Sequence, residues 1–123
     1  MNHFLIVFLG GGIGAALRHA VNRLAFQLWP AFPAGTMIVN LVGSLAMGLL
    51  IGLFAAMEPV SNTMRLFLAT GILGGFTTFS AFSLDALTLW ERGEIGLALL
   101  YVAASVLLSL AAVAAGFFLS RNF

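Results

Sequence analysis

Apolar residues run along this chain in four long stretches, interrupted three times by short polar segments. The stretches cover about residues 4–28, 33–56, 63–90 and 95–120. Each can cross a hydrocarbon core of ~30 Å, which takes ~20 helical residues. The interruptions carry turn-forming residues: Pro30 and Pro33, then Glu58-Pro59 with Ser61-Asn62, then Glu91-Arg92-Gly93-Glu94. Trp29 and Trp90 fall at the predicted boundaries, where aromatic belts form. The pattern predicts an all-α membrane protein: four transmembrane helices in one integral membrane domain over residues 1–123, without a linker or low-complexity tract.

The polar positions inside the stretches refine this picture. In the first, the apolar run halts at Arg18-His19 and resumes after Arg23. Gly10 and Gly14 form a G-x-x-x-G pair that lets another helix approach closely. The run Gly10-Gly11-Gly12-Ile13-Gly14 has the look of a phosphate loop, but no strand precedes it, no Gly-Lys-Ser/Thr follows, and it lies within an apolar run. Arg18 and Asn22 share a face. Arg18 reads either as a side chain that snorkels to a headgroup or as a charge in a water-filled vestibule that draws anions inward.

In the second stretch Thr36, Asn40, Ser44, Gly48 and Gly52 recur every four residues. Ser44, Gly48 and Gly52 read as a helix-packing seam. Asn40 is different, because a carboxamide in hydrocarbon is costly unless paired and it offers two donors. It reads either as glue between helices or as a pore-lining donor. In the fourth stretch Tyr101, Ser105 and Ser109 recur at the same spacing, followed by Ala112 and Gly116. That stripe suits close packing first and a line of hydroxyls for an ion second.

The third stretch departs most from a plain span. Gly71 to Ser83 reads GILGGFTTFSAFS, with three glycines, four hydroxyl residues and phenylalanines at 76, 79 and 82. Gly-Gly is poor helix material, so the helix is predicted to break at Gly74-Gly75, after an ordinary apolar half-helix from Met64 to Ile72. It restarts with Thr77 or Thr78 as N-cap. Non-helical backbone at membrane depth persists only where protein or a water-filled cavity receives its freed polar groups. Broken helices of this kind build ion sites. After the break Phe79, Phe82, Ser83 and Ala86 share a face with Ser80 beside it. The two rings read either as lipid or core packing or as part of the site. Asp85 follows about one turn from the membrane edge, as a vestibule charge or a surface anchor.

Composition agrees and narrows the function. The chain is 62% hydrophobic and 7% charged, too few charges to clothe a soluble domain of 123 residues. The net charge of +1, without a basic cluster, gives no footprint for nucleic acid. There is no cysteine, hence no disulfide or thiolate chemistry. The start Met1-Asn2-His3 lacks a basic run, so no secretory signal is expected. The acids Glu58, Asp85, Glu91 and Glu94 all lie in loops or near span ends. A proton-coupled transporter needs an ionisable group at depth. His3 and His19 make no ligand pattern, and no nucleophile has an evident base partner, so no enzyme is expected. What remains at depth is hydroxyls, one carboxamide, aromatic rings and freed backbone amides, suited to replacing an ion's hydration shell.

The arginines also bear on topology. Arg65 and Arg121 fall on the side of the N-terminus, and Arg23 and Arg92 on the opposite side, with Arg18 if it reaches that surface. Orientation follows such a bias, and here it is close to nil. Insertion in both orientations is expected, with two copies pairing antiparallel as the halves of an inverted repeat.

These residues resemble the Fluc/CrcB fluoride channels of bacteria over essentially the full chain. The matching elements are Gly-Gly-Gly-Ile-Gly-Ala with Leu17-Arg18, Pro33-Ala34-Gly35-Thr36 leading to Val39-Asn40, and Gly71 through Ser83. The resemblance implies an antiparallel, dual-topology homodimer in the bacterial inner membrane, with two pathways that export fluoride passively and relieve its toxicity. It implies that Gly74 and Thr77 give backbone carbonyls from both subunits to a structural sodium ion at the dimer centre. Phe79 and Phe82 would be the pore phenylalanines, with Asn40 near them. Ser80, Ser83 and Ser109 would belong to a polar track beside the rings, Thr36 to the anion pathway, and Arg18 and Asp85 to the vestibule. Ala81 and Val113 stand where some relatives have hydroxyl residues, which thins the track. Two competing readings remain: a small multidrug-type transporter, which needs a membrane carboxylate, and a non-conducting membrane assembly subunit whose glycines serve packing alone.

Overall fold

The computed structural model describes residues 2–122, and every regular element among them is helical. Helix α1 is His3–Leu28 and α2 is Ala34–Ala56. The third span opens as α3, Asn62–Arg65, widens into a π-helix over Leu66–Leu73, and closes with a single turn, α4, Gly74–Phe76. It restarts as α5, Phe79–Glu91, and the chain ends in α6, Ile95–Ser120. Four spans long and apolar enough to cross a membrane result, the third of them interrupted. Their ends agree with the hydrophobic pattern to within a residue or so.

The ends have local causes. The Asn2 side chain accepts from the Phe4 amide at 2.7 Å and starts α1. Ser61 does the same for Met64 at 3.1 Å and starts α3. Gly93, at φ +78°, lets the Gly93 and Glu94 amides turn back to the Trp90 and Leu89 carbonyls, both at 3.0 Å. This left-handed cap reverses the chain between α5 and α6, and only glycine takes that backbone without strain. Arg65 joins Glu58 at 2.7 Å and lies 5.1 Å from the centre of the Phe54 ring, tying the second loop to the end of α2.

Packing is arranged in two helix pairs. Helix α2 packs along α6, and α1 packs along the first half of the third span. Lipid chains are as apolar as leucine, so burial from water does not drive these contacts; close van der Waals approach does. Glycines supply it. A Cβ on Gly48 would overlap the Val113 carbonyl oxygen, and one on Gly116 would overlap that of Leu45. Phe4, Phe8, Leu24, Phe26, Leu107 and Leu110 point outward, as lipid-facing residues do. The small buried cluster is Phe82, Leu89, Ala98 and Tyr101, with Phe32 and Met37 against it, where α5 meets α6.

The break is where the sequence pattern and the fold diverge. Gly74 and Gly75 are helical, and the chain leaves the helix at Thr77 (ψ 156°) and Thr78 (φ −153°, ψ 120°). The expected break at Gly74-Gly75 is therefore displaced, and the half-helix before it is π-helical rather than ordinary. Two contacts account for the displacement. Gly75 lies against α1, where a Cβ would stand 3.0 Å from Gly11 Cα, so this glycine serves close approach. The Thr77 hydroxyl donates to the Leu73 carbonyl at 3.0 Å, alongside the Thr77 amide at 3.1 Å. A hydroxyl bonded to the preceding turn competes with helix continuation, and Gly43 of α2 leaves the space that the Thr77 methyl fills. The Thr78 hydroxyl then caps the restarted helix, accepting from the Ala81 amide at 3.2 Å.

Candidate ion-binding site

Interrupting a helix strands the carbonyls before the gap and the amides after it. At membrane depth these groups need partners, and two side chains supply them. The Asn40 Oδ1 accepts from the Thr78 amide at 2.8 Å, and its Nδ2 donates to the Thr78 carbonyl at 3.0 Å. Asn40 thus grips the extended residue from both sides. It is interhelical glue, and one of its two N–H bonds remains beyond the bond to Thr78. Arg18 Nε donates to the Gly75 carbonyl at 3.0 Å, so this half-buried guanidinium turns toward the break rather than snorkelling to a headgroup.

Around the gap runs an open groove of about 250 Å³, lined by Asn40, Ser44, Thr77, Thr78, Phe79, Phe82, Ser105, Val106 and Ser109. It brings together Asn40, Phe79, Phe82 and Ser109 of the candidate pathway, together with the Thr77 side of the break. Among the described residues no charged side chain lines it. The Phe79 and Phe82 ring centres are 5.5 Å apart at 56°, and Phe82 lies 5.4 Å from Tyr101. Phe82 is buried among these rings, whereas Phe79 is 77% exposed. The edge of a phenyl ring is the positive part of its quadrupole. Both readings of the rings thus apply to Phe82, which packs in the core and faces the groove.

Other candidates lie apart. Ser80 and Ser83 are exposed on α5 outside the groove lining; Ser83 donates to the Phe79 carbonyl of its own helix at 3.0 Å, and Ser80 sits 3.3 Å from the Thr78 hydroxyl. Thr36 is buried and lines a second hollow with Asn22, Phe32, Gly35, Ala81 and Asp85. There the Tyr101 hydroxyl donates to Asp85 Oδ2 at 3.1 Å, so Asp85 is held by a neighbouring helix.

Two further hydroxyls line the groove. Ser44, read as packing, is half-buried along the groove, and Ser105 lines it with a buried hydroxyl that finds no hydrogen-bond partner among the described residues. Their four-residue spacing marked the right faces of α2 and α6. Spacing alone does not separate a face that meets a helix from one that meets a groove.

The suitability of the break for a cation rests on its oxygens. The Gly74 and Thr77 carbonyls receive no hydrogen bond among the described residues, since the Thr78 amide goes to Asn40 and the Ala81 amide to the Thr78 hydroxyl. Free carbonyl oxygens suit a hard cation, and Gly74 is exposed. Two oxygens from one chain are an incomplete shell. Among the described residues there is no cluster of three His, Asp or Glu able to hold a metal, so any cation here depends on backbone.

Comparison with known proteins places the chain in a family. A family profile described as CrcB-like protein, Camphor Resistance (CrcB), matches residues 5–117. The fluoride-specific ion channel FluC of Methylobacterium nodulans is 55% identical over 123 residues, covering 100% of this chain and 99% of that protein. The protein of the same name in Paracoccus denitrificans is 58% identical over 123 residues, covering 99% and 98%. That of Rhodopseudomonas palustris is 56% identical over 119 residues, covering 96% of each. Matched by the profile over most of its length and by these relatives from end to end, the chain belongs to the CrcB family.

Proposed function

We propose that this chain is a fluoride-specific channel, not an enzyme, that lets fluoride leave the cytoplasm passively and so relieves its toxicity. The carrying observation is the groove beside the broken helix, uncharged and lined by hydroxyls, one carboxamide and phenyl edges. The names of the relatives supply the ion. Fluoride is small and strongly hydrated, so a pore that admits it must replace its water with dense donors. Asn40, Ser109 and the ring edges of Phe79 and Phe82 supply them along the groove. Ser80 and Ser83 extend the track on the outer face of α5, and Thr36 lines the approach, with Asp85 as a vestibule charge and Arg18 bonded to the break.

The protein is multi-pass, and we place it in the bacterial inner membrane as a homodimer of oppositely inserted copies. The even spread of its arginines supports this, as does the outward exposure of Phe79, Ser80 and Ser83, which a single chain leaves facing lipid. In such a dimer the Gly74 and Thr77 carbonyls of both copies would hold a sodium ion. That ion would supply a fixed positive charge and close the gap in the helix, while this chain's own part is to keep those oxygens free. A C-terminal cysteine tag in whole cells is expected to react with impermeant reagent from both sides of the membrane. Reaction from one side only would remove the antiparallel dimer.

The test of function is fluoride efflux from liposomes holding purified protein, with chloride as control. A channel leaks fluoride without a proton gradient; a coupled transporter needs one; an assembly subunit carries none. Phe82→Ile removes a ring edge worth ~1 kcal/mol, so flux should drop about fivefold while the dimer still elutes intact. Undiminished flux would take Phe82 out of the pathway.

A further inference from the structure

Gly10, Gly14 and Arg18 follow one another at four-residue spacing and share one face of α1. All three meet the first half of the third span. A Cβ on Gly10 would stand 2.7 Å from the Phe67 carbonyl oxygen and 3.0 Å from Gly71 Cα. One on Gly14 would overlap the Ile72 carbonyl oxygen and stand 2.8 Å from the Phe76 amide nitrogen. The row ends at Arg18, whose Nε reaches the Gly75 carbonyl at 3.0 Å. In a continuous helix that oxygen would accept from the Phe79 amide; across the gap it does not, and Arg18 takes that amide's place.

The atom that makes the bond is informative. It is Nε, within the side chain, and the terminal nitrogens of Arg18 make no hydrogen bond or ion pair with the protein among the described residues. The glycine row brings α1 so near the third span that the donor has to sit four bonds from Cα. Glutamine carries an amide nitrogen at that same remove. Lysine has a methylene there and its ammonium one bond further out.

We infer that Arg18 is a positioning residue for the conduction pathway: its Nε–H bond to Gly75, rather than its positive charge, fixes the last helical turn before the break. That turn carries Gly74 and leads directly to Thr77, so its orientation sets where their free carbonyls point and where α5 begins with Phe79. The inference rests on the channel reading for its functional meaning, but the bond itself can be tested without conduction.

The experiment compares Arg18→Gln with Arg18→Lys in purified, reconstituted protein. Gln keeps the donor and discards the charge; Lys keeps the charge and displaces the donor. Leaving the Gly75 carbonyl without its donor at membrane depth should cut fluoride efflux about tenfold or more in Lys, whereas Gln, which keeps a donor there, should stay within about threefold of the original. The sodium concentration giving half of the thermal protection should rise in Lys and not in Gln. A direct readout is the infrared stretch of a Gly75 carbonyl labelled with ¹³C and ¹⁸O, which should move to the free-carbonyl position in Lys and stay bonded in Gln. If Lys conducts better than Gln, or if the labelled carbonyl does not respond to Lys, the inference is overturned. If the unaltered protein carries no fluoride while the carbonyl responds as stated, the channel reading fails and the positioning bond stands.

Discussion

Asn40→Asp is expected to lower fluoride efflux by about 1,000-fold or more, combining a lost donor at ~1–3 kcal/mol with a repelling charge worth ~4 kcal/mol at close range. The two parts have separate origins. Asn40 Nδ2 donates to the Thr78 carbonyl while Oδ1 accepts from the Thr78 amide. An ionised carboxylate keeps the second bond and loses the first, leaving the carbonyl without a partner and two like-charged oxygens near each other. It also places a negative charge in a groove that otherwise has none, on the path of an anion. Asn40→Ala removes both bonds without adding charge, so its flux should fall less than that of the Asp variant. Efflux measured with dimer elution distinguishes pathway damage from misassembly. An Asp variant that conducts within twofold of the original would remove Asn40 from both gripping and conduction.

The second large effect concerns stability. Gly14→Val should lower stability by about 3 kcal/mol, at the upper end of overpacking costs, and abolish assembly of the proposed dimer in detergent. Its added carbons meet the Ile72 carbonyl and the Phe76 amide, both backbone, so no side chain can turn aside to make room. The helices have to part, and with them goes the reach of Arg18 to Gly75. Gly12→Ala is the matched control, since a Cβ there meets nothing within 4 Å. Thermal unfolding followed by tryptophan fluorescence should show a large downward shift for Gly14→Val and almost none for Gly12→Ala. Equal midpoints for the two would mean that α1 does not pack as described.

Both predictions turn on one feature of membrane folding. A soluble protein can leave a helix in its interior and let ordered water receive the stranded groups. In hydrocarbon that remedy is missing unless a cavity is supplied. Here three of the flanking groups are received by side chains from two other helices, Arg18 on α1 and Asn40 on α2. The first half of the third span is therefore held by α1 and the extended residue by α2, while α5 packs against α6. The Gly74 and Thr77 carbonyls receive no hydrogen bond among the described residues, and the break lies beside a groove without a charged lining residue.

The number, length and limits of the four spans were readable from the sequence, because hydropathy and turn residues act locally and the bilayer imposes its thickness on any chain. Gly71–Ser83 was recognisable as the irregular segment for the same reason: its composition contradicts a plain span wherever it sits. Only the tertiary structure decided where within that segment the helix opens. Gly74 and Gly75 make opening easy, but contact with Gly11 uses Gly75 for approach, and the hydroxyls of Thr77 and Thr78 take over the ends. The grip of Asn40 on Thr78, the turn of Arg18 toward Gly75, and the presence of Ser44 and Ser105 along the groove likewise depend on which helix stands opposite. A four-residue repeat names a face but not its neighbour, and the neighbour determines whether a polar side chain meets backbone, another helix or open space.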